Sequence, residues 1–478
     1  MQFWKLNHPE SAIAALDARS GREWSYSALR ADVGRFHAAL PDVGRKSLGF
    51  LLATNRYECL VAYLGALNAG SALLLLDESL DAGLLSELLD LYRPDWIFES
   101  GGAAGSADLL PPEFAAYRES LAGVAGLMER RAPQNLEIHP DLALLLNTSG
   151  STGSPKLVRL TLRNLEANAE AIASYLRLDS RERPITSLPM PYSYGLSVIN
   201  SHLAAGATIV LSEDGVLRRE FWDAVDTHAC TSFAGVPYTY QLLLQAGLLS
   251  KRGASLRTLT QAGGRLDERR IEEMVSLAGK RGWKFFVMYG QTEATARISY
   301  VPHDELARKV GSVGIAIPGG KLSTDEVSGE LIYSGPNVMM GYAESPGDLA
   351  KGDELNGVLR TGDLARRDED GYFYMTGRLK RFLKLFGKRF NLDDVERIVS
   401  RETGLTAGCF GRDDLLQIAV EGSENVEVLR ELLCKKLDLP RSIVNVIAVS
   451  KLPRTVNGKL DYQRLSEAGL HPAAVVTG

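Results

Sequence analysis

The chain has 478 residues and a formal net charge of −5, and 45% of its residues are hydrophobic and 24% charged. That length is too great for one compact core, so two or three domains are expected, and the small net charge gives no reason to expect nucleic-acid binding. The cysteines are too scattered to predict a zinc cluster or a disulfide framework: they are Cys59, Cys230, Cys409 and Cys434.

The N-terminal part alternates helical and strand-like patterns. A helix is predicted from residue 24 to about residue 40, with Ser27 as its cap. A strand at 47–53, a helix at 57–68 and a strand at 71–76 follow, and this rhythm predicts a parallel sheet covered by helices. The apolar stretch formed by the last two elements is interrupted by polar residues and glycine, so no membrane span is expected there. Without signal-peptide features at its start, the chain is expected to be cytoplasmic.

The same rhythm continues in the middle of the chain. A helix is predicted at 165–176, and strands are predicted at 207–211, 231–235 and 285–289. Each strand ends in a turn of polar residues or glycine, and in open α/β sheets ligands bind at the carboxyl ends of the strands. After about residue 310, short β-like pieces with glycine turns take over, and the C-terminal part predicts a compact α+β unit.

The densest cluster of chemistry-bearing residues follows an apolar strand predicted at 142–146. Residues 146–156 have the sequence Leu-Asn-Thr-Ser-Gly-Ser-Thr-Gly-Ser-Pro-Lys. Such a loop suits a polyphosphate, because backbone N–H groups and hydroxyls can donate hydrogen bonds and glycine leaves room. It is not a Walker A loop, in which the lysine directly follows a glycine, since Pro155 precedes Lys156 here. The alternative is a surface turn rich in serine and glycine, which the density and order of the motif disfavour.

Three further motifs follow in order. They are Met-Tyr-Gly-Gln-Thr-Glu at 288–293, Thr-Gly-Asp at 361–363 and Pro-Arg-Thr-Val-Asn-Gly-Lys at 453–459. Together with the loop, this ordered set resembles the adenylate-forming (AMP-binding) superfamily, which includes acyl-CoA synthetases, aryl-acid ligases, peptide-synthetase adenylation domains and luciferases. The resemblance runs over nearly the whole chain and is far more specific than any single motif.

The resemblance implies an α/β fold with two domains. A large N-terminal AMP-binding domain of α/β sheets with a β-barrel-like subdomain is expected at residues 1–379. A small, mobile α+β lid domain is expected at 380–478. Lys380 stands where the superfamily places its inter-domain hinge residue, about which the lid rotates between two half-reactions.

The resemblance also assigns catalytic roles to four residues. Lys459 would reach the substrate carboxylate and the α-phosphate, and Thr292 would contact the α-phosphate. Glu293 would ligate Mg²⁺, a hard cation that a carboxylate suits, with Thr152 as a second ligand. Lys156 would serve the leaving phosphates or hold the loop, and the sequence does not separate these two roles.

The nucleotide site implied by the resemblance uses the loop, a Gly-Gly turn, the Tyr-Gly motif and the ribose-binding region. Tyr289 would lie against the adenine, and the Asp363 carboxylate can accept hydrogen bonds from both ribose hydroxyls. The assigned residues are Thr148, Ser149, Gly150, Ser151, Thr152, Gly153, Gly263, Gly264, Tyr289, Gly290, Asp363 and Arg378.

The acid pocket is the least determined part of the site, because ordinary core packing explains each candidate residue about equally well. The segment at 190–197 resembles the pocket wall of the superfamily, where peptide-synthetase domains for α-amino acids carry an Asp that pairs with the amine. This chain has no acidic residue between Ser187 and Glu213, so the resemblance disfavours an α-amino acid substrate. An aryl acid or a small to medium acyl acid is expected instead. The predicted pocket residues are Tyr192, Ser193, Val236, Tyr238 and Met288.

The expected activity is that of an AMP-forming acid–thiol ligase. It would use ATP and Mg²⁺ to form an acyl-adenylate with release of pyrophosphate. It would then transfer the acyl group to a pantetheine thiol, and the sequence does not separate CoA from an acyl or peptidyl carrier protein as acceptor. The alternatives are an amino-acid-activating adenylation domain and a non-catalytic protein of the same fold that only binds ligands.

Overall fold

The structure is a computed structural model, and it describes a large part of the chain. The described residues are 2–100, 114, 116–120, 122–132, 134–147, 156–379, 381–385, 388–422, 425–437, 439–455 and 458–470. The chain forms two compact units, one of residues 1–321 with 333–359 and one of residues 322–332 with 360–478. The boundary predicted between residues 379 and 380 stays a prediction, as does the β-barrel-like subdomain.

The elements agree closely with the predicted helices and strands. The α-helices are α1 (Tyr26–Ala39), α2 (Tyr57–Ala69), α3 (Ala82–Tyr92), α4 (Leu162–Leu176), α5 (Ser193–Ala204), α6 (Arg219–Thr227), α7 (Pro237–Gln245), α8 (Leu248–Lys251), α9 (Glu268–Arg281), α10 (Leu392–Thr403), α11 (Val426–Leu437) and α12 (Tyr462–Leu470). The strands are β1 (Ile13–Asp17), β2 (Glu23–Ser25), β3 (Leu48–Ala53), β4 (Ala72–Asp77), β5 (Trp96–Glu99), β6 (Tyr117–Glu119), β7 (Leu127–Arg130), β8 (Leu142–Asn147), β9 (Leu157–Thr161), β10 (Ile209–Leu211), β11 (Ser232–Gly235), β12 (Thr258–Gln261), β13 (Lys284–Tyr289), β14 (Ser299–Tyr300), β15 (Ile315–Ala316), β16 (Lys321–Thr324), β17 (Glu330–Ser334), β18 (Gly341–Ala343), β19 (Val358–Arg367), β20 (Phe373–Arg378), β21 (Phe382–Leu385), β22 (Lys388–Asn391), β23 (Ala407–Arg412), β24 (Leu415–Glu421) and β25 (Val444–Val449).

The start of α1 differs from the prediction. The cap is Ser25, whose side chain accepts a hydrogen bond from the Ala28 N–H, and not Ser27. Ser25 is the last residue of β2 and has an extended backbone, so the chain turns directly from strand into helix. A serine in extended conformation with its oxygen over the first turn is the geometry that a cap requires.

The largest sheet has eight strands in the order β18-β9-β8-β4-β3-β5-β7-β6. Strands β3, β4, β5 and β8 run parallel, with β3 paired to β4 and β5 and β4 paired to β8. Every residue of β3 is buried, as are the first five of β4. Such continuous apolar runs are typical of parallel strands covered on both faces. Helix α2 connects β3 to β4, so the βαβ unit predicted for this part of the chain is confirmed.

A second sheet of the same unit has the order β11-β12-β13-β14-β15. Its first three strands are parallel and register Gly235 beside Gln261, and Gln261 beside Val287. The carboxyl ends of these strands therefore meet at one edge of the sheet. The turns that follow them carry the predicted Gly-Gly and Tyr-Gly motifs, so the sheet brings segments distant in sequence to one place.

The smaller unit contains short antiparallel and mixed sheets. One sheet has the order β16-β17-β19-β20, β21 and β22 form a hairpin, and β23, β24 and β25 form a third sheet. Helices α10 and α11 pack with this third sheet around an apolar core that includes Val399, Ile418 and Leu433. None of the helices in the described ranges has the length and apolar character needed to cross a membrane.

Candidate active site

The predicted phosphate loop is framed by two neighbouring strands. Residues 148–155 lie outside the described residues, so the roles of Thr148, Ser149, Gly150, Ser151, Thr152 and Gly153 stay predictions. The strand before the loop, β8, ends at Asn147, which pairs antiparallel with Leu157 at the start of β9. Because both strands belong to the large sheet, the two ends of the loop are fixed side by side.

The lysine that ends the loop is linked to the predicted magnesium ligand through a third strand. Strand β18 pairs with β9 and places Tyr342 beside Val158. The Tyr342 hydroxyl donates a hydrogen bond to Glu293 Oε1 at 2.8 Å. Lys156 Nζ lies 5.8 Å from the centroid of the Tyr342 ring and 2.6 Å from Glu344 Oε1. Lys156 and Glu293, which belong to motifs far apart in the sequence, thus both contact Tyr342.

Tyr342 and Glu344 were not predicted from the sequence. Burial raises the pKa of Tyr342 above its usual value, and the neighbouring Glu293 carboxylate raises it further. The hydroxyl therefore stays protonated at neutral pH and can donate to Glu293. No sequence motif pointed to this segment, because β18 has only three residues and its partner strand lies far away along the chain.

The Tyr-Gly motif lies at the end of β13 and is held in place by β14 and by the Asn337 side chain. After Tyr289 the chain turns, and β14 returns antiparallel with Ser299 opposite Tyr289. The Asn337 side chain donates hydrogen bonds to the carbonyls of Ala294 and Arg297, at 2.7 and 2.8 Å. These bonds hold the turn that carries Thr292 and Glu293 in one conformation.

Gly290 is required by the close approach of this turn. A Cβ at Gly290 would lie 1.8 Å from the Ala296 carbonyl oxygen and 2.9 Å from Arg297 Cα. The backbone cannot yield easily, because the Ile298 N–H donates to the Tyr289 carbonyl at 2.9 Å. Glycine is therefore explained here by sterics alone, whatever it contacts in a nucleotide complex.

We expect Gly290→Ala to destabilise the large unit by about 2 kcal/mol or more, because it forces a backbone clash in a packed turn. Urea unfolding followed by tryptophan fluorescence measures this loss. Gly279→Ala is the matched control: Gly279 lies on α9, where a Cβ would have open space around it, so alanine should stabilise by up to about 1 kcal/mol. Equal unfolding midpoints for the wild type and Gly290→Ala would contradict the steric account.

Three predicted pocket residues meet near the Gly-Gly turn. Gly263 has a φ of +84°, and a Cβ there would lie 2.4 Å from the Tyr192 hydroxyl and 3.2 Å from Val236 Cγ1. Ser193 Oγ lies 3.2 Å from Thr292 Oγ1. Burial raises the pKa of Tyr192 to about 12. The structure therefore brings the Gly-Gly turn, the 192–193 segment and the Tyr-Gly motif together.

The remaining predicted residues of the large unit flank this cluster. Met288 is buried next to Tyr289, and its Sδ accepts a hydrogen bond from the Tyr175 hydroxyl at 3.0 Å. Tyr238 is half-buried in the first turn of α7, which Val236 precedes. A Cβ at Gly264 would lie 3.3 Å from Pro237 Cγ, so this turn packs against the start of the same helix.

In the smaller unit, Asp363, predicted to bind the ribose, is paired with Arg378, predicted to contact the ribose or a phosphate. Asp363 lies opposite Arg378 across β19 and β20, and Arg378 Nε lies 3.1 Å from Asp363 Oδ1. The Asp363 N–H donates to the Thr361 hydroxyl, whose own hydrogen bond goes to the Leu331 carbonyl at 2.7 Å. Asp363 is only 5% exposed, so its carboxylate is positioned by the sheet and not by solvent.

The predicted catalytic lysine lies on a tight turn of the smaller unit. The Thr455 N–H donates to the Lys459 carbonyl at 2.8 Å, and Gly458 has a φ of +74°. Arg454 closes the turn by donating to the Gly458 carbonyl at 3.0 Å. Lys459 itself is half-buried. The predicted hinge residue, Lys380, lies outside the described residues, and its role stays a prediction.

The donor set at Glu293 fits a magnesium ion held together with substrate phosphates. Within the ranges that the structure describes, no group of three His, Cys, Asp or Glu side chains could hold a metal by itself. Mg²⁺ commonly takes one or two carboxylates, with phosphate oxygens and water completing its octahedron. The half-buried Glu293 accepts a hydrogen bond from Tyr342 of β18, the strand paired with the one that follows the phosphate loop, and is suited to that arrangement.

These features define an α/β protein in which the Tyr-Gly-x-Thr-Glu turn lies close to residues predicted for the acid pocket and, through Tyr342, to the lysine at the end of the predicted phosphate loop. The family model of the AMP-binding enzymes matches residues 3–343, and the chain belongs to this family. The predicted family is thereby confirmed.

Curated relatives of the chain are CoA ligases. The chain is 28% identical over 342 residues to the sulfoacetate–CoA ligase of Cupriavidus necator, a match that covers 68% of this chain and 66% of that protein. It is 27% identical over 486 residues to the indoleacetate–CoA ligase of Aromatoleum aromaticum, with 92% of each chain covered. These relatives confirm the predicted class of enzyme, an AMP-forming acid–thiol ligase.

Solved structures agree on the fold. The o-succinylbenzoate CoA synthetase of Bacillus subtilis, in complex with its acyl-adenylate intermediate, aligns with a TM-score of 0.76 at 22% identity and covers 96% of this chain and 95% of its own. At this identity the likeness concerns the fold alone. It confirms the predicted mixed α/β architecture with a large N-terminal and a smaller C-terminal domain.

Proposed function

We propose that this enzyme activates a small carboxylic acid, aryl or short to medium acyl, with ATP and Mg²⁺ and transfers the acyl group to CoA. In the first half-reaction a carboxylate oxygen bonds to the α-phosphorus, and the bond between the α-phosphorus and the bridging oxygen breaks to release pyrophosphate. In the second, the thiolate sulfur bonds to the acyl carbon and AMP leaves with the bonding electron pair.

The observation that carries the proposal is the link from Lys156 through Tyr342 to Glu293. Two anions must approach each other in this reaction, so positioning and charge stabilisation are the main requirements. Lys156 would stabilise the leaving phosphates, and Glu293 would hold the magnesium ion against them. The tyrosine between them fixes the direction of the carboxylate.

The smaller unit would supply the remaining groups. Asp363, paired with Arg378, would accept the ribose hydroxyls, and Lys459 would reach the substrate carboxylate and the α-phosphate. Lys380 would serve as the hinge about which this unit rotates to admit the thiol. A carrier protein in place of CoA is the alternative acceptor. A cytoplasmic location is part of the same proposal.

A panel of carboxylic acids with ATP and Mg²⁺, assayed by pyrophosphate release, tests the first half-reaction without knowledge of the acceptor. We expect acid-dependent release with at least one aryl or short acyl acid, and a CoA thioester detectable by mass spectrometry when CoA is added. Release with α-amino acids alone would indicate an amino-acid-activating adenylation domain. Thioester formation on a pantetheinylated carrier protein but not on CoA would show that the acceptor is a carrier protein and not CoA. No release with any acid, despite ATP binding, would indicate a non-catalytic protein of this fold.

A further inference from the structure

Within the part of the chain that the structure describes, Arg297 is a buried cation without a carboxylate partner. Arg297 is only 2% exposed, and its Nε atom is buried without a hydrogen-bond partner. Nη1 donates a long hydrogen bond of 3.3 Å to the Ala296 carbonyl. The guanidinium carbon lies 4.0 Å from the centroid of the Tyr194 ring. Among the described residues, no Asp or Glu forms an ion pair with it.

Such an arrangement is energetically unfavourable unless something else compensates the charge. A buried charge is ordinarily paired and hydrogen-bonded, and breaking a buried pair is strongly destabilising. The contact with the Tyr194 ring offsets part of this cost, because an aromatic face attracts a cation. It leaves the hydrogen-bonding capacity of Nε unused. The guanidinium also hydrogen-bonds to the Tyr175 hydroxyl, which is neutral at pH 7 because burial raises the pKa of Tyr175 to about 12. Within the described residues the charge is therefore left without an anionic partner.

The backbone at Arg297 is held in place by its neighbours. Its carbonyl accepts the 2.8 Å hydrogen bond from Asn337, and its Cα packs against Gly290 of the Tyr-Gly motif. The residue therefore cannot withdraw without disturbing the motif that carries Glu293. A fixed position beside the motif is what a substrate-recognising residue requires.

Arg297 lines a small internal cavity. Polar side chains contribute to its wall, among them Ser197, His202, Ser232 and Thr260, and the rest of the wall, including Met288, is mostly apolar. The space available to the centre of a water-sized sphere is about 20 Å³, which corresponds to one or two water molecules. The cavity thus has room for a small group at the end of a substrate and not for a long alkyl chain.

His202 does not add a second positive charge to the cavity. Burial lowers the pKa of His202 to about 4, so the ring is neutral at pH 7. Its Nδ1 donates to the Val198 carbonyl at 2.8 Å, and its Nε2 lies 3.4 Å from Ser232 Oγ. One cation, with hydroxyls and a neutral imidazole around the same cavity, matches a single anionic group.

The cavity adjoins the acid pocket predicted from the sequence. Met288 belongs to both and directly precedes Tyr289. Burial raises the pKa of Tyr192, and the positive charge of Arg297 acts in the opposite direction, so the field of the guanidinium reaches the pocket wall. An acid lying beside Tyr192 with its reacting carboxylate toward Thr292 would extend its other end toward Arg297.

We propose that Arg297 is a specificity-determining residue that binds a second anionic group, a carboxylate, at the far end of a short acid substrate. This inference rests on the proposed function and deepens it. It makes the preferred substrate a short acid with two anionic ends, and it predicts discrimination by charge against neutral acids of equal size.

The experiment compares each diacid of the series malonate, succinate, glutarate and adipate with its own monoamide. The two compounds of a pair have nearly the same size, and only the far charge differs. For the best diacid we expect kcat/KM in pyrophosphate release to exceed that of its monoamide by about 100-fold or more, because loss of one partner from a buried charge pair is costly. Less than a tenfold preference for every diacid, with activity on neutral acids, would overturn the inference and leave the proposed function intact.

Three variants separate recognition from folding. Arg297→Met removes the charge at similar volume, and we expect it to lose about 100-fold on the best diacid while keeping or improving activity on the monoamide. Arg297→Lys keeps the charge and should retain part of the preference. Arg308→Met removes an exposed arginine and should change neither value. Equal losses of Arg297→Met on both compounds of a pair would show a structural role and contradict the inference.

If no acid is turned over, a direct measurement of diacid binding tests whether Arg297 forms an anion site. Isothermal titration calorimetry of the same diacids is then performed on the wild type and on Arg297→Met in the presence of a non-hydrolysable ATP analogue. Binding by the wild type that is lost in the variant supports the anion site even though the proposed function has failed. No binding of any diacid to the wild type overturns the inference.

Discussion

Lys459→Ala is expected to lower the rate of acyl-adenylate formation by about 100-fold or more while leaving thioester formation from a supplied acyl-adenylate within about twofold of the wild type. The reason is that Lys459 is proposed to stabilise charge only where the carboxylate meets the α-phosphate. That charge does not exist in the second half-reaction. Pyrophosphate release measures the first step, and mass spectrometry of the CoA thioester measures the second.

The turn that carries Lys459 makes the variant a clean test. The contacts that close the turn come from the backbone of Thr455, Gly458 and Lys459 and from the Arg454 side chain, so truncation at Cβ leaves them in place. Lys451→Ala, at an exposed lysine of the same unit, controls for loss of a positive charge. Equal losses in both half-reactions would refute the assignment of Lys459 to adenylation.

Glu293→Gln is expected to lower pyrophosphate release by about 100-fold or more at saturating ATP, and to raise the magnesium concentration needed for half-maximal activity. The amide keeps an oxygen that can accept the hydrogen bond from the Tyr342 hydroxyl, so the turn should hold its shape. What is lost is the negative charge that a magnesium ion prefers. Rates measured over a magnesium titration separate a weaker metal site from a slower chemical step.

The matching control for this variant is Glu305→Gln. Glu305 forms an ion pair on the surface of the same unit with Arg308, and we expect no more than about a twofold change in activity. Unchanged pyrophosphate release and magnesium dependence in Glu293→Gln would remove Glu293 from the proposed metal site. The link from Lys156 through Tyr342 would then be a structural contact only.

The sequence predicted the elements that a local pattern can specify. The apolar runs of β3 and β4 and the helix between them were predicted to within one residue, because burial on both faces leaves a continuous hydrophobic signature. The motifs around Glu293, Asp363 and Lys459 were recognisable for a different reason. Each is a short stretch whose residue types and spacing suit one task.

Tyr342, Glu344 and Arg297 could not be predicted from the sequence for a common reason. Their importance comes from pairings between segments that are distant along the chain. Tyr342 meets Glu293 only because β18 pairs with β9 at the edge of the large sheet. Arg297 is an arginine in a short polar stretch, and nothing local indicates that it is almost fully buried. Its burial follows from the return of the chain as β14 against β13.

By itself, the sequence determined the family and the order of the motifs, and it predicted the chemistry at the phosphate loop and its partners, because these depend on residue types at short spacing. The tertiary structure decided which side chains share a charge environment. It joined Lys156, Tyr342 and Glu293, and it buried Arg297 at a small cavity beside Met288, a residue predicted for the acid pocket. Electrostatic and steric complementarity depend on the distance between side chains in space. That distance is set by how sheets and turns pack and not by position along the chain.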